Sequence, residues 1–152
     1  MVTYETDADQ SREELAAQRL ATHFRGTMVR SAKYEPYDRV LYDENRVVCA
    51  LLEIKCRDYP YDYLCKNDYM LSERKVMEIR LLAGACNVVP LVMVACLDRD
   101  FMLDLGDDSY RVETRCVNDR AVTHQGVIMR DERMCFWSAH HFRRTEDINW
   151  LC

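Results

Sequence analysis

The segment YDRVLYDENRVVCALLEIKC, Tyr37 to Cys56, constrains the fold more than any other part of the chain. It reads as a β-hairpin, with Tyr37 to Tyr42 and Arg46 to Cys56 as strands and Asp43, Glu44 and Asn45 as the polar turn. In the second arm an apolar run, Val47 to Leu52, passes directly into Glu53, Ile54 and Lys55. Residues i and i+2 of a strand share a face, so Glu53 and Lys55 emerge side by side while Ile54 faces the core behind them. Charged side chains are seldom fully buried unless they are paired or bind something. Alternation in the first arm sets Asp38, Val40 and Tyr42 on one face, and adjacent strands bring Asp38 within reach of Glu53.

The elements around the hairpin follow from local patterning. SREELAAQRLATHF opens with a capping-box signature, Ser11 with Glu14, and carries Ala16, Ala17, Leu20, Ala21 and Phe24 at helical spacing. Glu13 lies one turn before Ala16 and Ala17, so a carboxylate leads the inward stripe. Gly26 is expected to end this helix, and TMVRSA to form a strand. After the hairpin, RDYPYDYLCKNDYM reads as a tyrosine-rich loop. Ser72 caps a second helix through about Ala85, with Val76, Ile79, Ala83 and Cys86 as its inner stripe. VVPLVMVACL is a continuous apolar strand, buried on both faces. In the last third, RDFMLDL, SYRVET and ERMCFW suggest short antiparallel strands, and SAHHFRR a last short helix. The expected class is α/β, a mixed central sheet flanked by helices, with a β-rich C-terminal extension.

The chain's 152 residues suit one domain. No apolar run is long enough to span a bilayer, since the best, Val88 to Leu97, is short and contains Pro90. The acidic N-terminus lacks a signal-peptide pattern, so a cytoplasmic protein is expected. The eight cysteines form no CxxC pair and no zinc-finger spacing, and reduced thiols are the expectation. A formal net charge of -5 argues against a nonspecific nucleic-acid coat, though not against an acidic site masked by metal ions.

Clustered carboxylates repel one another unless a cation joins them. Mg²⁺, with Mn²⁺ as a substitute, suits Asp38 and Glu53 because it takes hard oxygen ligands and is commonly held by one or two carboxylates plus water and phosphate. Lys55 can then contact a scissile phosphate or orient an attacking water. Each residue also has a plainer reading. The Glu-x-Lys tripeptide alone is a strand-end ion pair, Asp38 a solvated hairpin residue, and Glu13 a favourable charge near a helix N-terminus. What distinguishes the set is its order: an acid on an inward helix face, an acid entering one hairpin arm, and an acid and a lysine leaving the other.

With these residues in that order, the hairpin and the following SERKVMEIRLLAGACNVVPLVMVAC resemble the core of the PD-(D/E)XK nuclease superfamily, the restriction-endonuclease-like fold, and in particular its small phage-encoded members. The resemblance covers roughly Ser11 to Leu105. It implies an αβββαβ core over about residues 11–105 within one nuclease-like domain spanning 1–152, with an extension over about 106–152. It also implies that Asp38 is the first acid, Glu53 the second, Lys55 the lysine and Glu13 the helix acid, with Asp38, Glu53 and Glu13 as metal ligands. Lys75 matches a basic or amide residue presented from the following helix. Tyr37 separates Pro36 from Asp38, so the literal Pro-Asp of the name is absent.

The activity implied is Mg²⁺-dependent hydrolysis of DNA in phage or mobile-element DNA processing, with strandedness open. Cutting both strands would favour a homodimer. Two alternatives remain: a catalytically inactive nucleic-acid-binding or regulatory protein on the same fold, and an interaction subunit of a larger complex. Among the other chemistry-bearing residues, His124, His140 and His141 are expected in surface or packing roles more than in metal binding. Tyr59, Tyr61, Tyr63 and Tyr69 either stack on unpaired bases or pack as a lid. Arg143 and Arg144 either contact phosphate or form a solvated basic end.

Overall fold

A computed structural model describes residues 6–123 and 126–149, with side chains described outside 118–128. The first helix, α1 (Asp7–Phe24), starts earlier than Ser11. Thr6 and Asp9 form the capping box, with the Asp9 N–H donating to Thr6 Oγ1 (3.2 Å) and the Thr6 N–H to Asp9 Oδ2 (3.1 Å). Asp7 and Asp9 also complement the positive end of the helix dipole. Ser11 instead lies inside the helix, its hydroxyl donating to the Asp7 carbonyl (2.8 Å). At the other end the left-handed residue is Arg25 (φ 52°), not Gly26. Glycine is required next to it because a Cβ there would collide with the Tyr42 carbonyl oxygen.

The chain then forms β1 (Thr27–Arg30), β2 (Arg39–Tyr42) and β3 (Val48–Cys56). Two elements break up the expected tyrosine-rich loop, α2 (Tyr61–Lys66) and β4 (Tyr69–Ser72). Pro60 stands at the N-cap of α2, where its fixed φ and missing N–H cost nothing. Next come α3 (Glu73–Cys86), β5 (Val89–Ala95) and β6 (Asp100–Asp104). The last third makes one long hairpin, β7 (Arg111–Thr123) and β8 (Gly126–Trp137), in place of short separate strands. In SAHHFRR only a single 3-10 turn, Ala139–His141, precedes β9 (Arg143–Arg144).

The central sheet is mixed, in the order β1-β2-β3-β5-β6-β9, with β3 and β5 parallel and the other pairs antiparallel. A second sheet, β4-β8-β7, packs with α3 on one side of it. The two faces of the central sheet are therefore covered differently. Leu41, Ala50, Leu52, Ile54, Leu91 and Met93 pack against Ala16, Ala17 and Leu20 of α1. Val92, Val94, Phe101 and Leu103 pack against Val76 and Ile79 of α3 and against Cys135 and Trp137 of β8. Cys86, expected on the inner stripe of α3, is exposed. β5 contributes to both cores, as its uninterrupted apolar sequence requires. Cys56, Cys65, Cys86, Cys96, Cys116 and Cys135 are free thiols. Cys49 is disulfide-bonded, an exception to the expectation of reduced thiols. Spacing in sequence does not reveal which thiols a fold brings within bonding distance.

Candidate active site

The site grows from the register of β2 on β3. Arg39 pairs with Leu52, so Asp38, one residue earlier, stands across from Glu53. The Asp38 N–H donates to the Leu52 carbonyl (2.8 Å), and Asp38 Oδ2 accepts from the Ile54 N–H (2.9 Å). The first bond fixes the backbone of Asp38, and the second ties its carboxylate to β3. Because Leu52 and Ile54 face α1, the alternation of a strand sends Glu53 and Lys55 to the opposite face. The run of β3 through the middle of the sheet, between β2 and β5, makes this an interior position.

Glu53 is only 2% exposed. Lys55 Nζ lies 2.7 Å from its Oε1, and Lys75 Nζ lies 3.0 Å from its Oε2. Lys75 arrives from the first turn of α3, whose start is fixed by Ser72 Oγ accepting from the Lys75 N–H (3.5 Å). The contact at Oε2 is an ion pair without hydrogen-bond geometry, so this buried oxygen has a charge partner but no hydrogen bond. Burial, and then the neighbouring Glu53 carboxylate, push the pKa of Asp38 up to about 6. The Ile54 N–H and Lys55 pull it down, and Glu13 adds a smaller push upward.

Glu13 approaches from α1, and its Oε1 lies 3.1 Å from Nη2 of Arg39. The same nitrogen donates a hydrogen bond to Glu14 Oε2 at 3.1 Å. Arg39, like Glu53, is 2% exposed. Asp38, Glu53, Lys55 and Lys75 thus form one interacting group, while Glu13 pairs with a buried guanidinium and its charge also reaches Asp38. The sequence did not single out Arg39, and it gave Glu14 only a capping role. A signal for Arg39 existed: it shares strand parity with Leu41, so it is a charge on a buried face, the same anomaly that marks Glu53.

The other singled-out residues lie apart from this group. His141 Nδ1 pairs with Asp107 Oδ2 (3.1 Å) and His140 Nδ1 with Ser138 Oγ (2.7 Å), beside a cavity of about 480 Å³ that Arg143 also lines. His124 lies outside the described residues. Tyr69 is buried, Tyr61 stacks on Phe101 (4.0 Å between ring centroids), and Tyr59 contacts Tyr63 (4.4 Å). The exposed Arg144 pairs loosely with Glu146 at 3.8 Å. A cavity of about 550 Å³ lies near α1, lined by residues including Arg12, Arg19, Cys56 and Arg99, and Asp38, Glu53 and Lys55 do not line it. That is no obstacle to phosphodiester chemistry, because a nucleic-acid backbone is gripped on open surface rather than enclosed as a small ligand is.

Among the described residues, no three His, Cys, Asp or Glu side chains are gathered closely enough to cage an ion. Mg²⁺ does not need such a cage: it keeps several waters and commonly takes one or two carboxylates. The donor set here fits it. Both candidate donors are hard carboxylates, one carries a buried oxygen without a hydrogen bond, and the other is held above its ordinary pKa by burial and then by the neighbouring carboxylate.

Comparison with known proteins bears on the whole chain. Residues 2–145 match the model of a family described as "Phage putative PDDEXK endonuclease". The fold is similar to that of Hjc, a Holliday junction resolvase from Archaeoglobus fulgidus, with a TM-score of 0.50, 14% sequence identity, and coverage of 81% of this chain and 80% of that one. At that identity the likeness is one of fold, and it is the restriction-endonuclease-like fold. None of the curated proteins matches the sequence.

Proposed function

The chain belongs to the phage PDDEXK endonuclease family, and from that premise we propose that it is a divalent-metal-dependent deoxyribonuclease. Its reaction takes place on the face shared by Asp38, Glu53, Lys55 and Lys75, in the processing of phage or mobile-element DNA. We take residues 1–152 as one nuclease domain, because Cys135 and Trp137 of the C-terminal extension are buried in the same core as Val92 and Val94. The observation that carries the proposal is the burial of Glu53 at 2% exposure, across from a second carboxylate and between two ammonium groups. A stability role alone is a poor account of this arrangement, since burying an ion pair is often no better than burying apolar groups of the same size.

Asp38 and Glu53 would hold the ion, with Glu13 as the acid able to join them. Mg²⁺, or Mn²⁺ in its place, supplies charge neutralisation at a phosphate and a bound water of lowered pKa. Lys55, 24% exposed, is anchored by Glu53 while its ammonium stays accessible. There it can contact a phosphate oxygen or orient the attacking water. Lys75, 28% exposed, presents a second positive charge from α3. The hydrogen bonds of Asp38 to β3 fix one carboxylate before substrate arrives, so little reorganisation is left to the reaction.

The test is incubation of the purified protein with labelled linear, circular, single-stranded, branched and RNA substrates, with Mg²⁺ or Mn²⁺ against EDTA. Cleavage of DNA that EDTA abolishes is the expected result, and the panel identifies the substrate structure. DNA binding without cleavage of any member would instead favour a binding protein on a nuclease fold.

A further inference from the structure

We propose that Arg39 is a buried counter-ion shared by Glu13 and Glu14, and that Glu14 is a positioning residue. By keeping Arg39 neutralised, Glu14 leaves Glu13 available to a cation at Asp38 and Glu53. The proposal rests on the metal-site reading above and adds two residues to it. Arg39 follows Asp38 directly in β2 but faces α1, where Leu41 of the same parity is buried. A guanidinium so deeply buried requires compensating charge, because desolvating an unpaired ion is costly. One nitrogen, Nη2, lies 3.1 Å from Glu13 Oε1 and 3.1 Å from Glu14 Oε2. Nε is buried without a hydrogen bond, so Arg39 relies on these two neighbouring helix residues.

The two acids are not equivalent. Glu14 is 53% exposed and takes a hydrogen bond from Arg39, whereas Glu13 is 17% exposed and close enough to Asp38 for their charges to interact. Were Glu13 the sole partner of Arg39, drawing it toward a cation would strand a buried charge. With Glu14 beside it, the guanidinium keeps one carboxylate throughout. Glu14 thereby lowers the cost of using Glu13 without itself touching the ion.

The experiment measures Mn²⁺ affinity from the loss of the free-ion EPR signal, in wild type and in Glu14→Gln, Glu14→Asp and Glu35→Gln. Glu14 is largely exposed, so its replacement should not unfold the chain. Glu14→Gln is expected to weaken Mn²⁺ binding by roughly tenfold, the scale of losses for residues that orient ligands. Glu14→Asp, which keeps the charge, should recover most of that loss. Glu35→Gln removes an equal, exposed charge from the loop leading into Asp38 and should change affinity by less than about threefold, as a screened surface charge does. Equal losses for Glu14→Gln and Glu35→Gln would reduce the effect to general electrostatics and overturn the proposal, as would unchanged affinity in Glu14→Gln. Absence of Mn²⁺ binding to the wild type would overturn both this proposal and the metal-site reading beneath it.

Discussion

Glu53 and Arg39 sit on adjacent strands, on opposite faces of one sheet, each 2% exposed and each with two partners of opposite charge. The resemblance ends there. Around Glu53, Asp38 brings in a further carboxylate whose pKa is pushed up to about 6 by burial and then by Glu53 itself. Around Arg39, two carboxylates compensate one guanidinium against the side of α1. On the proposed reading the first arrangement receives a cation, and the second steadies the helix that supplies Glu13. A buried charge is therefore not a functional signal by itself.

One of the two largest expected effects comes from Lys55. Lys55→Ala should lower the cleavage rate by about 10²- to 10⁴-fold, the range for a group acting on a transferred proton or developing charge, while Mn²⁺ binding measured by calorimetry persists. Retained cleavage would make Lys55 no more than a partner that fixes Glu53, erasing the contrast between the two faces.

Asp38→Asn is expected to abolish cleavage yet stabilise the metal-free protein. The sign follows from the raised pKa. Between about pH 4 and 6 the folded state keeps a proton that the unfolded chain has lost, so stability falls as pH rises through that window and stays low above it. Removing the charge should restore up to about 3 kcal/mol at pH 8 and nothing at pH 4. Urea unfolding in EDTA at both pH values checks this, and a gain independent of pH would contradict the electrostatic account.

Arg39→Met should act in the other direction, destabilising the fold by about 1–3 kcal/mol in urea unfolding, because two carboxylates lose their cation and only partly recover water. At the small end, Arg74 and Glu78 form an exposed i,i+4 pair on α3 at 2.9 Å. Arg74→Ala should cost no more than about 0.5 kcal/mol by the same measurement. A cost for Arg74→Ala equal to that of Arg39→Met would mean that burial is not what separates these pairs.

Much of the Glu53 face was legible because strand periodicity is local. The alternation of Glu53, Ile54 and Lys55 fixed which residues of β3 share a face, and Asp38 followed from the adjacent hairpin arm. Lys75 was reached only by resemblance, since its approach depends on how α3 packs on the sheet. The Arg39 face stayed hidden because its partners lie some twenty-five residues away on α1, a distance that alternation cannot bridge. Two local features were also misread. Ser11 and Glu14 imitate a capping box, but Thr6 and Asp9, closer to the acidic start of the helix, form it. The tyrosines after Pro60 looked like loop, and tertiary packing turned Tyr61–Lys66 into helix and Tyr69–Ser72 into strand. The length of the β7–β8 hairpin was likewise unreadable, because half-exposed strands with alternating charges carry little hydrophobic signal.

The most direct test of the metal-site reading is calorimetric titration of Mn²⁺ into wild type and Glu53→Gln at pH 7.5. The substitution keeps the side chain's volume and removes its charge. Saturable binding to the wild type and its loss in Glu53→Gln, with the variant still folded by circular dichroism, is the result this account predicts. Equal binding to both proteins would contradict it.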